Sequence, residues 1–149
     1  MNILYLHGLG STGLTDDKRA VVMSVLKPEV LIAPVFDYTE EGVEKKIEDL
    51  FHAHSFDLII GSSTGAMVAH TLSCRSNINA ILINPAFKHN VVDRLLPKFI
   101  RSTEVGKHTF FVFGTAVSSK MIRFSTAAIL FAIFVVLGAV LDGAGGMHT

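Results

Sequence analysis

Short apolar runs alternate with longer stretches of helical spacing along most of the chain. Asn2 to Leu6 predicts a buried strand, and Gly8, Gly10 and Gly13 then mark a loop. Thr15 predicts a helix cap, with Asp16 and Asp17 in the positive first turn and the helix running to about Leu26. Lys27-Pro28 stops it. Val30 to Ala33 predicts a second strand, closed by Pro34. Thr39, Glu40 and Glu41 predict the start of a second helix. Its apolar positions Val43, Ile47, Leu50 and Phe51 recur at helical spacing, and its other face, Glu44 to Lys46, Glu48 and Asp49, is solvated. Leu58 to Ile60 predicts a third strand, Gly65 to about Ser73 a small apolar helix, and Ala80 to Ile83 a fourth strand. Val91 to Ile100 reads as helical with a break at Pro97. Thr109 to Phe113 predicts a fifth strand.

Strands separated by helices favour a parallel sheet covered on both faces, and strands buried on both faces read as continuous apolar runs. The fold class expected is therefore α/β, mostly parallel sheet flanked by helices. At 149 residues one domain with a single sizeable core is expected, spanning 1–149. Hydrophobic residues are 50% and charged residues 17%, which excludes a disordered chain. Thirteen basic and thirteen acidic side chains leave no net charge, so nothing marks a nucleic-acid partner. The single cysteine, Cys74, excludes a disulfide framework and a zinc ribbon. Met1 to Leu6 lacks a basic n-region and a cleavage site, so no signal peptide is expected. A cytoplasmic setting is the plain expectation.

The strongest chemical signal is Gly61-Ser62-Ser63-Thr64-Gly65, a G-x-S-x-G motif between a strand and a helix. This is the nucleophile elbow context. A serine on so sharp a turn lifts its Oγ above the sheet edge, the glycines let strand and helix approach, and the helix N-terminus faces developing negative charge. The symmetric glycines select Ser63 over Ser62 as nucleophile. An acyl-transfer serine also needs two N–H donors for its oxyanion. The residue after the nucleophile, Thr64, supplies one. The loop His7-Gly8-Leu9 after the first strand supplies the other through the Leu9 backbone, with His7 holding the loop rather than acting as base. Gly145-Gly146-Met147-His148 places His148 after a glycine-rich turn that follows a candidate last strand, which makes it the expected general base.

Leu4 to Ser11, the Gly61 to Gly65 elbow, Ile83-Asn84-Pro85-Ala86 and Gly145 to His148, with Lys18, together resemble the small YqiA-like esterases of the α/β-hydrolase superfamily. The resemblance is close over about residues 2 to 90 and fades until the terminal turn. It implies a compact α/β-hydrolase-like fold, and the short segment between Pro85 and Thr109 leaves material for little or no lid. It also implies a carboxylic-ester hydrolase acting on small acyl esters through an acyl-enzyme, without cofactor or metal. The family places its catalytic aspartate after the strand that resembles Phe110 to Gly114, where this chain reads Gly114-Thr115-Ala116-Val117-Ser118. Asp142, six residues before His148, is the preferred acid, Asp93 is the alternative, and a site with no acid is the third reading. Losing the acid costs rate through the wrong histidine tautomer, on the order of 10⁴ in a chymotrypsin-like protease.

Phe124 to Leu141 carries no charge over 18 residues. In one reading it supplies the last helix and strand (Ser119 to about Ile129, then Ile133 to Val140) and delivers His148 to Ser63. In the other it is one membrane helix of about 27 Å, flanked by Lys120 and Arg123, and His148 emerges out of reach. The glycine–histidine turn favours the first. The rival function is then a catalytically impaired α/β-hydrolase-like binding protein, tethered through 124–141. Among smaller signals, His52 and His54 do not share a helix face and so make a poor metal pair. His70 is expected to pack, and Cys74 to be a small buried hydrophobe.

Overall fold

The computed structural model describes residues 1–86, residue 96 and the backbone of 109–112. Eight elements follow in chain order: β1 (Asn2–Leu6), α1 (Asp16–Leu26), β2 (Val30–Ile32), α2 (Val43–His52), β3 (Leu58–Ser62), α3 (Thr64–Ser76), β4 (Asn79–Ile83) and β5 (Thr109–Val112). The strands form one sheet in the order β2-β1-β3-β4-β5, and every neighbouring pair is parallel. The expected α/β architecture is therefore observed over the described residues. The predicted helix over 91–100 (apart from Leu96), the end of the fifth strand at Phe113, and both readings of 124–141 lie outside them.

Strand alternation divides the core in two. Ile3, Tyr5, Leu58, Ile60, Ile81 and Ile83 face α1 with its Val22 and Leu26. Leu4, Leu6, Ile59, Ala80 and Leu82 face α2 and α3, meeting Val43, Ile47, Phe51, Ala66, Val68 and Leu72. Burial of each large aliphatic side chain is worth roughly 1.5–3 kcal/mol, so the doubly covered centre of the sheet is strongly stabilised by apolar contact.

Element boundaries depart from the sequence expectation for local reasons. Thr15 occupies the cap position of α1 but makes no side-chain cap bond, leaving Asp16 and Asp17 to complement the helix dipole. α2 begins at Val43 rather than Thr39. The Asp37 carboxylate accepts from the Thr39 N–H at 2.9 Å and from the Thr39 hydroxyl, and the Glu40 N–H donates to the Asp37 carbonyl. That turn consumes the residues expected to open the helix, and Gly42, at φ 80°, makes the entry. The same bonds hold the Asp37 carboxyl below the usual range. β3 runs two residues further than expected, and α3 continues to Ser76.

The order places the site. From β1 the chain leaves across α1 to β2 on one side, and from β3 it leaves across α3 to β4 on the other. β1 and β3 are neighbours, so the loops beyond their carboxyl ends diverge and open a crevice, the usual ligand position in open parallel sheets. Two glycines bring α3 onto this crevice. A Cβ at Gly65 would fall well inside contact distance of the Leu6 and His7 carbonyl oxygens. A Cβ at Gly61 would overlap the first turn of α3 and lie 2.7 Å from the Ala69 Cβ.

Two outcomes are expected. Gly65→Ala should lower unfolding free energy by about 2–3 kcal/mol or more, since the obstructing atoms are backbone. Gly10→Ala, where φ is +71° but nothing lies within 4 Å, should cost only about 1 kcal/mol of left-handed strain. Urea denaturation ranks them; equal losses would show that the α3–β1 contact is not tight. The second outcome concerns His70, 7% exposed on α3, whose pKa burial lowers. The unfolded chain then binds more protons than the native one as the pH falls. The stability is full above about 6.5 and is lost as the pH drops through the lower native value. Between pH 7.5 and 5.5 the wild-type urea midpoint should fall further than that of His70→Gln; parallel falls would refute the assignment.

Candidate active site

Ser63 follows β3 directly and stands as the cap of α3 at φ 53°, ψ −115°. A non-glycine residue there carries strain of about 1–3 kcal/mol, held only if its surroundings over-determine it. They do so through backbone bonds. The Ser63 N–H donates to the Ile83 carbonyl at 2.9 Å, and the Ser63 carbonyl accepts from the Ala66 N–H at 3.1 Å and the Ala86 N–H at 3.3 Å. The Asn84 to Ala86 segment beyond β4, entered at an Asn84 φ of 46°, thus straps the elbow from the far side. Ser62, by contrast, stays in the strand ladder opposite Ile83, and its side chain is hydrogen-bonded to the Tyr5 hydroxyl. Burial raises the Tyr5 pKa, and this bond works against the rise. Both serines are half-buried, but the Ser62 side chain is engaged with Tyr5 whereas Ser63 is held through its backbone.

The loop after β1 lies against that turn. A Cβ on Gly8 would meet the Ser63 Cβ at 3.2 Å and its Oγ at 3.8 Å, so glycine lets the loop backbone approach the displayed hydroxyl. His7, 1% exposed, spends both ring nitrogens on backbone. Its Nε2 accepts from the Phe36 N–H at 2.8 Å, and its Nδ1 lies 2.7 Å from the Gly8 carbonyl. An amide can only donate and a carbonyl only accept, so the ring is the neutral Nδ1–H tautomer. The His7 carbonyl accepts from the Tyr38 hydroxyl at 2.8 Å. Tyr38 is fully buried, and desolvation, with Tyr5 close by, pushes its pKa above the ordinary tyrosine range, so it remains a donor. Its ring packs on the His7 ring with centroids 5.1 Å apart.

Among the described residues, backbone dipoles contribute to the electrostatics of the crevice. α3 directs its N-terminal end at Ser63, placing partial positive charge beside the hydroxyl. Among the described residues, neither the Leu9 nor the Thr64 N–H has a hydrogen-bond acceptor. No group of three His, Cys, Asp or Glu side chains is placed to hold a metal among these residues. Backbone donors and a helix dipole of this kind can polarise a carbonyl placed against them.

Ser63, Thr64 and the Gly8-Leu9 loop are brought to one sheet edge. His148, Asp142 and Asp93 lie outside the described residues, as does 124–141. Among the described residues no helix is long and apolar enough to cross a membrane. His52 and His54 are exposed; His52 packs edge-on against Phe51, and the His54 ring lies tilted against Phe56. Sequence reading missed Tyr38, the Phe36 amide and the Tyr5–Ser62 pair. Tyr38 reaches His7 across 31 residues, and no local pattern announces such a contact.

No curated protein and no solved structure matches the chain. A family model described as an uncharacterised protein family does match, over residues 2–105, which takes in β1 with its loop, the elbow and β4. With well over half its length matched, the chain belongs to the uncharacterised protein family UPF0227.

Proposed function

We propose that the protein is a serine hydrolase, a carboxylic-ester esterase working through an acyl-enzyme. The observation that carries the reading is Ser63: a strained, displayed hydroxyl at the switch point of a parallel sheet, on a helix N-terminus, with a glycine loop against it. Membership in UPF0227 and the resemblance to YqiA-like esterases are compatible with it.

The proposed reaction follows from those parts. Ser63 Oγ attacks the ester carbonyl carbon as His148 takes its proton. The carbonyl oxygen becomes an oxyanion, held by the Leu9 and Thr64 N–H groups and by the α3 dipole. Collapse breaks the acyl–oxygen bond, and the alcohol leaves with the proton from His148. Water, deprotonated by the same ring, then attacks the acyl-enzyme and releases the acid and Ser63. Asp142 orients the His148 ring, with Asp93 the alternative. The substrate is a small acyl ester, and the chemistry calls for no cofactor. The setting proposed is cytoplasmic.

A fluorophosphonate probe tests the nucleophile. Wild type and Ser62→Ala should label, Ser63→Ala should not, and hydrolysis of a short-chain nitrophenyl ester should drop by about 10³-fold or more in Ser63→Ala. Undiminished labelling of Ser63→Ala would remove the assignment. A folded wild type that neither labels nor turns over would instead support the binding-protein reading.

A further inference from the structure

The bonds around His7 do more than anchor a loop, because each of them fixes the plane of a particular peptide. In a trans peptide the C=O and the following N–H point in opposite directions, and the described chain has no cis bonds. The His7 carbonyl points to the Tyr38 hydroxyl, and the same oxygen lies against Gly65 in the first turn of α3. That sets the His7–Gly8 plane. The Gly8 carbonyl is taken by the His7 Nδ1–H at 2.7 Å and the Ser11 N–H at 3.1 Å. That sets the Gly8–Leu9 plane, and with it the Leu9 N–H, on the side opposite the imidazole. The Phe36 N–H on Nε2 then fixes which tautomer is present and so guarantees a proton on Nδ1. Glycine at position 8 has little conformational resistance of its own, so without these bonds its plane is free to turn.

We infer that His7 and Tyr38 are positioning residues for the oxyanion donor. Tyr38, from the segment between β2 and α2, locks the first peptide of the loop; His7 locks the second; together they hold the Leu9 N–H in the direction the reaction needs. Neither side chain touches the substrate. The inference rests on the esterase reading, and it adds that the β2–α2 segment controls turnover through a donor it never contacts.

Two substitutions at one buried site separate orientation from packing. The Asn amide overlies the Nδ1 position of histidine, so His7→Asn keeps a donor to the Gly8 carbonyl and loses the acceptor for Phe36. The Gln amide reaches the Nε2 position, so His7→Gln keeps the acceptor and loses the donor. Turnover of a short-chain nitrophenyl ester should fall about ten- to a hundred-fold in kcat for His7→Gln, with KM little changed, and only a few-fold for His7→Asn. Tyr38→Phe, which removes one hydroxyl, should lower kcat about ten-fold while thermal melting shows a folded chain. Equal kcat losses in Asn and Gln, or wild-type kcat in Tyr38→Phe, would overturn the inference while leaving the esterase reading intact. A wild type inert to both ester and fluorophosphonate would end both.

Discussion

The contact between the first turn of α3 and the end of β1 is what the rest of the structure depends on. Gly65 sits against the Leu6 and His7 carbonyl oxygens with no room for a side chain. One close approach therefore joins the elbow to the loop after β1. It fixes Ser63 relative to Gly8, and it places the His7 carbonyl where Tyr38 can reach it. The parallel order β2-β1-β3-β4 makes the approach occur at the switch point, where the outgoing connections part and leave the sheet edge open.

The energetic balance explains why a strained serine persists there. Its unfavourable φ costs about 1–3 kcal/mol. Ile59, Ile60, Ile81 and Leu82, on the two strands that flank it, are each 2% exposed or less, and each contributes a comparable amount. Three backbone bonds to Ser63 add to this, and they come from β4, α3 and the segment after β4. The strain is thus distributed over a frame that would have to open as a whole to relieve it.

Much of this was legible in residue order. The apolar runs gave the strands to within two residues because the central strands β1, β3 and β4 are buried along most of their length and so read as continuous apolar runs. The glycines around Ser63 marked the elbow because the crossing they permit is local, from one strand to the helix that follows. The start of α2 was not legible. Thr39 with two glutamates looks like a helix entry, but Asp37 captures the Thr39 amide first, and that competition is decided by turn geometry. The role of Tyr38 was hidden for a different reason: it is a tertiary contact between two loops that only the sheet order brings together. His7 stood between the cases. Its place after β1 suggested a structural duty, whereas its tautomer follows only from the Phe36 amide on one nitrogen and the Gly8 carbonyl on the other.

A crystal structure of the phosphonylated protein would examine the central claim most directly. The adduct should show phosphorus bonded to Ser63 Oγ, Ser63 still at positive φ, and the phosphonyl oxygen within about 3 Å of both the Leu9 and Thr64 nitrogens. An adduct whose oxygen points away from both amides, or a relaxed Ser63 with the Gly8 loop withdrawn from it, would contradict it.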